Sequence, residues 1–286
     1  MRLLLYAFSV MLMLAMPLAL GTRLARRYRV NWDLFGVGVV AFVGSQIAHI
    51  PFNSAVARAG WLPDAAAGLV ELAIVAAFLG LSAGFFEESA RYIVYRWWAR
   101  DARRWKDGIM LGAGHGGIES ILLGFALALN VAVLAGIRAG RFGALLPAEQ
   151  WSVAQAQAEA MFSGPVVLGL LPAAERAFAL AVHLSLSLLV LQVFVRRQRR
   201  WWWYAVGWHA LLNAVAVFAM QQFNIYIAEV AIGVMALISV WFVVKLRRAA
   251  GAAEAALSPD ATELRPLPAL KQPPLSEDKL DDSRFL

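Results

Sequence analysis

Hydrophobic positions in this chain are gathered into long runs, at about Leu3 to Leu20, Leu34 to Ile50, Ala66 to Tyr95, Ile109 to Ile137, Leu170 to Val195, Trp202 to Met220 and Ile225 to Val244. At 1.5 Å per helical residue each run can cover a hydrocarbon core of ~30 Å. The pattern predicts an all-α, polytopic membrane protein, a bundle of roughly seven transmembrane helices.

Composition agrees. With 61% hydrophobic and 16% charged residues and a mean hydropathy of +0.63, the chain is too apolar for one soluble globular domain. Positive charge orients the spans. Arg23, Arg26, Arg27 and Arg29 follow the first run, Arg96, Arg100, Arg103, Arg104 and Lys106 the third, Arg196, Arg197, Arg199 and Arg200 the fifth, and Lys245, Arg247 and Arg248 the last. The intervening loops are nearly neutral, so the amino terminus is expected outside and the carboxyl terminus in the cytoplasm. The net charge of +7 is then a matter of topology and anionic lipid, and no nucleic-acid partner is expected. Cysteine is absent, which excludes disulfides, thiol catalysis and thiolate metal sites.

Arg2, an apolar core and small residues near Leu20-Gly21 also fit a secretory signal peptide, but the four arginines that follow favour a retained span. In the longest external loop, Ala139 to Phe162, Pro147-Ala148-Glu149-Gln150 has the look of a short helix start. A plain connector is the preferred reading there. Residues 1–248 form the expected membrane domain, and 249–286, rich in Pro, Ala and mixed charge, the expected disordered cytoplasmic tail.

Several ionisable residues interrupt the runs, and such groups must be paired or must line a wet cavity. Glu87 and Glu88, His115, and His209 each lie about nine residues from a cytoplasmic cluster, roughly 13 Å into the membrane. A second tier, Glu119, His183 and Asn213, lies roughly 20 Å deep. Glu87 with Arg91, His115 with Glu119, His183 with Ser187, and His209 with Asn213 are i, i+4 pairs, so each pair shares a helix face. Four spans thus bring polar faces to one band. The run Gly112-Ala113-Gly114-His115-Gly116-Gly117 allows close helix approach or leaves room for a substrate backbone and water. Glu175 and Arg176 lie near the outer end of their span, where local helix stabilisation competes with chemistry. His49 reads equally as an interhelical hydrogen bonder.

A glutamate in a low-dielectric cavity can take a proton from water and return it, a histidine can share that water, and an Asn amide is a good oxyanion donor. Carboxylate, histidine and His209-x-x-x-Asn213 therefore suit amide hydrolysis. Two or three of His115, His183 and His209 with a glutamate would equally satisfy a zinc site with an open water position. No His-Glu-x-x-His motif is present, and only Ser187, one turn from His183, is arguable as a serine nucleophile.

Glu87-Glu88-x-x-Arg91, His115 on the next span and His209-x-x-x-Asn213 on a later one resemble the motifs of the CAAX-protease and bacteriocin-processing superfamily of intramembrane proteases, with its PrsW-like enzymes. Gly114-His115-Gly116-Gly117-x-Glu119, and Glu175-Arg176-x-x-Ala179 before His183, are similar to the YhfC-type branch, a group of intramembrane metalloproteases. The resemblance implies a membrane endopeptidase acting on a membrane-associated peptide or protein. It makes Glu87 the base, Glu88 and Arg91 its support, and His115, His209 and Asn213 the remaining site, with Glu119, Glu175 and His183 as possible additions. The superfamily's usual Phe four positions before the second-motif histidine is Leu111 here. Its members are described both as metal-dependent and as metal-free glutamate enzymes, so a zinc cofactor and a metal-free site both stay open. Two other classes fit the same buried residues, a proton- or cation-coupled transporter and an inactive scaffold or immunity protein.

Overall fold

The computed structural model describes residues 2–142 and 147–257, with nothing on the side chains of 148 and 252–257. Among the described residues eight α-helices follow one another: α1 (Arg2–Tyr28), α2 (Asp33–Arg58), α3 (Leu69–Ile93), α4 (Trp105–Arg138), α5 (Ala148–Ser163), α6 (Leu171–Val195), α7 (Arg200–Gln222) and α8 (Ile225–Leu257). Seven of the described helices, all except α5, are long and apolar enough to cross a membrane. Their outward faces carry residues such as Ile47, Leu129, Val230 and Leu237, which bare apolar surface that only lipid can cover. The protein is an integral membrane protein.

The bundle proper comprises residues 2–247 among those described, and a second unit begins at Arg248, helical through Leu257. Helix therefore continues into the segment expected to be tail, whose remainder, 258–286, lies outside the described residues. The connector reading of Ala139 to Phe162 is corrected: Ala148–Ser163 is a helix. The reason is length. At 34 residues α4 runs about 50 Å, well beyond a hydrocarbon core of ~30 Å. Its last turns present Leu134 and Ile137, and Ala158 and Phe162 of α5 cover them.

Glycines set how closely the helices approach. α4 packs on α1, α2 and α6 at once, and α3 lies along α7. In the Gly112–Gly117 run, a Cβ on Gly112 or Gly116 would meet His183 of α6 at 2.9 or 2.8 Å, one on Gly114 the Phe35 carbonyl of α2 at 1.9 Å, and one on Gly117 the Pro17 ring of α1 at 2.9 Å. The small residues thus serve close approach on three sides, and His115 is carried into the centre. Gly80 and Gly84 do the same for α3 on α7, with the Ala210 and Val206 carbonyls at 2.3 and 2.7 Å from an added Cβ. Gly114→Ala is expected to cost about 1–3 kcal/mol, since backbone rather than a flexible side chain must yield. Gly207→Ala, with open space around it, should gain roughly 0.5–1 kcal/mol from helix propensity. Unfolding titrations of both variants in mixed micelles check the contrast.

At one end of the bundle a π turn (Val94–Trp98) closes α3. Arg103 anchors it by donating to the carbonyls of Tyr95, Ala99 and Ala102 at 3.0–3.1 Å and by lying 4.7 Å over the Phe194 ring. Exposed Trp97, Trp98 and Trp203 stand among the arginines at this end, as in an interfacial aromatic belt.

Candidate functional site

Glu87 and Glu88, and Arg91 one turn on, lie on the inner side of α3 and are buried, Arg91 and Glu88 completely. His115 of α4, His183 of α6 and His209 of α7 are buried against them. The three imidazoles form a row, with ring centroids 5.3 Å apart from His115 to His183 and 5.7 Å from His183 to His209.

The two adjacent glutamates have different surroundings. Glu88 pairs with the Arg91 guanidinium and accepts from His209 Nδ1 at 2.8 Å. Glu87 has no guanidinium within bonding distance. Its Oε2 lies 3.0 Å from His115 Nε2 and 3.9 Å from His209 Nε2, and its Oε1 accepts from the Gln46 amide of α2 at 3.2 Å. Glu88 is neutralised, whereas Glu87 faces only groups that can gain or lose a proton or donate weakly.

Arg91 reaches from Glu88 to α6, its Nη2 being 2.6 Å from His183 Nδ1. Arginine can only donate, so Nδ1 accepts, and His183 Nε2–H donates to Glu119 Oε2 at 2.5 Å. Glu119 Oε1 in turn accepts from Arg176 at 2.7 Å, and Arg176 also pairs with Glu175. A continuous chain therefore runs Glu175, Arg176, Glu119, His183, Arg91, Glu88, His209. Glu119, Glu175 and His183 all belong to it, and Arg176, which looked like a local partner of Glu175, links α6 to α4. Both nitrogens of His183 are committed, so it cannot serve Ser187 as a base, and Ser187 Oγ is buried with no partner among the described residues. Asn213, one turn beyond His209, is half-buried and takes part in none of these contacts.

Which residues suit a metal follows from donors and charge. Glu87, His115 and His183 each offer a ligand atom, and these atoms lie within 4.8 Å of one another in a buried setting. This is a glutamate with two of the three histidines read from sequence; the third, His209, has Nδ1 on Glu88 and Nε2 3.9 Å from Glu87 Oε2. Four carboxylates, of Glu87, Glu88, Glu119 and Glu175, stand here against two guanidiniums, of Arg91 and Arg176, with His115, His183 and His209 as the remaining partners. That leaves a surplus of negative charge which a divalent cation would balance. Both nitrogens of His183 are engaged, by Arg91 and by Glu119, so it would ligate through Nδ1 only with the Arg91 guanidinium moved off that nitrogen. A carboxylate oxygen with two imidazoles is a fitting donor set for a zinc-like ion.

Gln46 and His49 of α2 also belong to the site's surroundings. Gln46 contacts Glu87 directly, and His49 joins it through Gln46 at 3.3 Å. The sequence carries a signal for them: Gln46, His49 and Asn53 share one face of an otherwise apolar helix.

A model of the family described as YhfC intramembrane metalloprotease matches residues 11–250. The uncharacterised membrane protein YhfC of Bacillus subtilis (strain 168) is 35% identical over 174 residues, covering 59% of this chain and 67% of that protein. No solved structure matches significantly. The matched region holds five of the seven candidate spans whole, most of the first and last, and the buried Glu87, His115 and His183 group, and this chain belongs to the YhfC intramembrane metalloprotease family.

Proposed function

We propose that this protein is an intramembrane endopeptidase that hydrolyses a peptide bond of a membrane-associated peptide or protein near the cytoplasmic leaflet, with its amino terminus outside and its carboxyl terminus in the cytoplasm. The observation that carries this reading is the meeting of Glu87 with His115, His183 and His209, from four helices, while the neighbouring Glu88 is neutralised by Arg91.

Glu87 accepts the proton of the attacking water or ligates a cation that binds that water; in either role its carboxylate faces the reacting centre. His115 holds Oε2 of Glu87 from one side, and His209, fixed through Nδ1 by Glu88, keeps Nε2 toward the same oxygen. With Nδ1 donating to Glu88, His209 would donate from Nε2 to charge developing on the substrate carbonyl as the imidazolium. Asn213 adds an uncommitted amide one turn away, suited to the same oxyanion. Arg91 gives Glu88 its counter-charge and keeps His183 in one tautomer. Glu87, His115 and His183 would hold a divalent metal, which when bound supplies Lewis acidity and an acidified water.

Two measurements test this, the first on purified protein and the second in membranes. Elemental analysis is expected to find about one divalent transition metal per chain, and His115→Ala and His183→Ala each to lower it at least tenfold. Labelling of new amino termini in membranes, with and without the protein, is expected to reveal cleavage products that vanish on chelation. Cleavage by metal-free protein would leave Glu87 as the base of a metal-free reaction. Products unchanged in the absence of the protein would overturn the endopeptidase. One observation favours a second reading: Glu87, Glu88, His115, His183 and His209 lie buried together, as suits binding a proton or a cation in a coupled carrier. Proton-driven solute uptake by reconstituted protein, without proteolysis, would establish that alternative.

A further inference from the structure

On α2, three polar side chains stand one above another on the face turned to α3. Gln46 Nε2 donates to Glu87 Oε1 at 3.2 Å and to Ser45 Oγ at 3.3 Å. Both amide hydrogens are then spent, so the contact at 3.3 Å between Gln46 Oε1 and His49 Nδ1 requires Nδ1 to carry the proton. His49 Nε2 must accept, and its donor is Asn53 Nδ2 at 3.0 Å; the Ser82 hydroxyl, 3.2 Å from the same nitrogen, gives its hydrogen to the Leu79 carbonyl. Donation therefore has one direction: Asn53 to His49, His49 to Gln46, Gln46 to Glu87. The imidazole is held by stacking on Phe86, with centroids 5.6 Å apart, and Phe52 packs against the same ring.

This network engages Oε1 of Glu87 and leaves Oε2 to His115 and His209. Without the Gln46 donor the carboxylate would be free to rotate about its last side-chain bond, and either oxygen could turn away from the histidines. None of the three α2 side chains is fully buried, so their contacts are not imposed by a sealed core.

We propose that Gln46 is a positioning residue that fixes the Glu87 carboxylate toward the histidines, and that His49, as its Nδ1–H tautomer, sets the direction of the Gln46 amide. The inference rests on the reading of Glu87 as the reacting acid or ligand. Gln46→Met keeps length and apolar bulk while removing the donor, and it should lower kcat about 10–100-fold with KM little changed. His49→Phe keeps the ring stack but removes the Nδ1 donor, and a smaller loss in kcat is expected. His49→Asn puts an amide N–H near the Nδ1 position and should restore most of the rate. A second readout needs no turnover: the infrared carboxylate band that Glu87→Gln removes should shift in Gln46→Met and His49→Phe and stay in place in His49→Asn. Wild-type kcat and an unmoved band in Gln46→Met would overturn the positioning role, as would His49→Asn falling as far as His49→Phe. A shifted band in a protein that cleaves nothing would uphold the positioning and count against the endopeptidase reading.

Discussion

Glu87→Gln is expected to lower the cleavage rate by about 10²–10⁴-fold, the range lost with a positioned acid–base group, while leaving insertion and unfolding unchanged. Glutamine preserves the shape of the side chain and can still accept from the Gln46 amide, so the packing of α3 on α2 and α4 has no reason to alter. What disappears is the charge opposite His115 and His209, and with it both the proton acceptor and the anionic ligand. Glu88→Gln should behave differently. Its carboxylate is the counter-charge of a fully buried arginine, so neutralising it leaves Arg91 with His183 alone and is expected to lower stability as well as activity. Terminal labelling of membrane proteins, combined with unfolding titrations in mixed micelles, separates the two outcomes. A fully active Glu87→Gln protein would remove the basis of the proposed reaction.

Arg91→Met is expected to destabilise the bundle by about 3–5 kcal/mol, the cost of breaking one side of a buried ion pair. Arg91 is fully buried, and its guanidinium joins Glu88 of its own helix to His183 of α6. Methionine fills most of the space but leaves the Glu88 carboxylate facing His209 without a counter-charge, and Glu88 Oε2 already lacks a partner. The double variant Arg91→Met with Glu88→Gln should recover much of the loss, because exchanging an entire buried pair for uncharged groups also removes its desolvation penalty. Neither variant should restore cleavage, since His183 and His209 would both have lost the group that orients them. An Arg91→Met protein as stable as wild type would show that Glu88 carries no charge in the fold.

Much of this could be read along the chain because hydrocarbon imposes its demands locally. A span needs a run of apolar residues, and an ionisable residue within one stands out against its neighbours, so the seven crossings and the inward Glu87, Glu88, Arg91, His115, His183 and His209 are legible one segment at a time. Family motifs pointed to the same residues. The helix Ala148–Ser163 was less legible, since what calls it into being is the apolar end of α4, a partner distant in the sequence.

The sequence by itself determined that the protein is an all-helical membrane bundle and which polar side chains share each helix face, because helix periodicity and hydrophobic length act over a few residues. Only the tertiary structure decided how those faces pair: that Arg91 goes to Glu88 and His183 while Glu87 goes to His115 and Gln46, and that Arg176 reaches across to Glu119. Glu87 and Glu88 are neighbours on one helix, with the same composition around them. The 100° between successive helix positions turns one toward an arginine and the other toward the histidines, and the glycine-lined approach of α4 to α2 and α6 sets which groups meet.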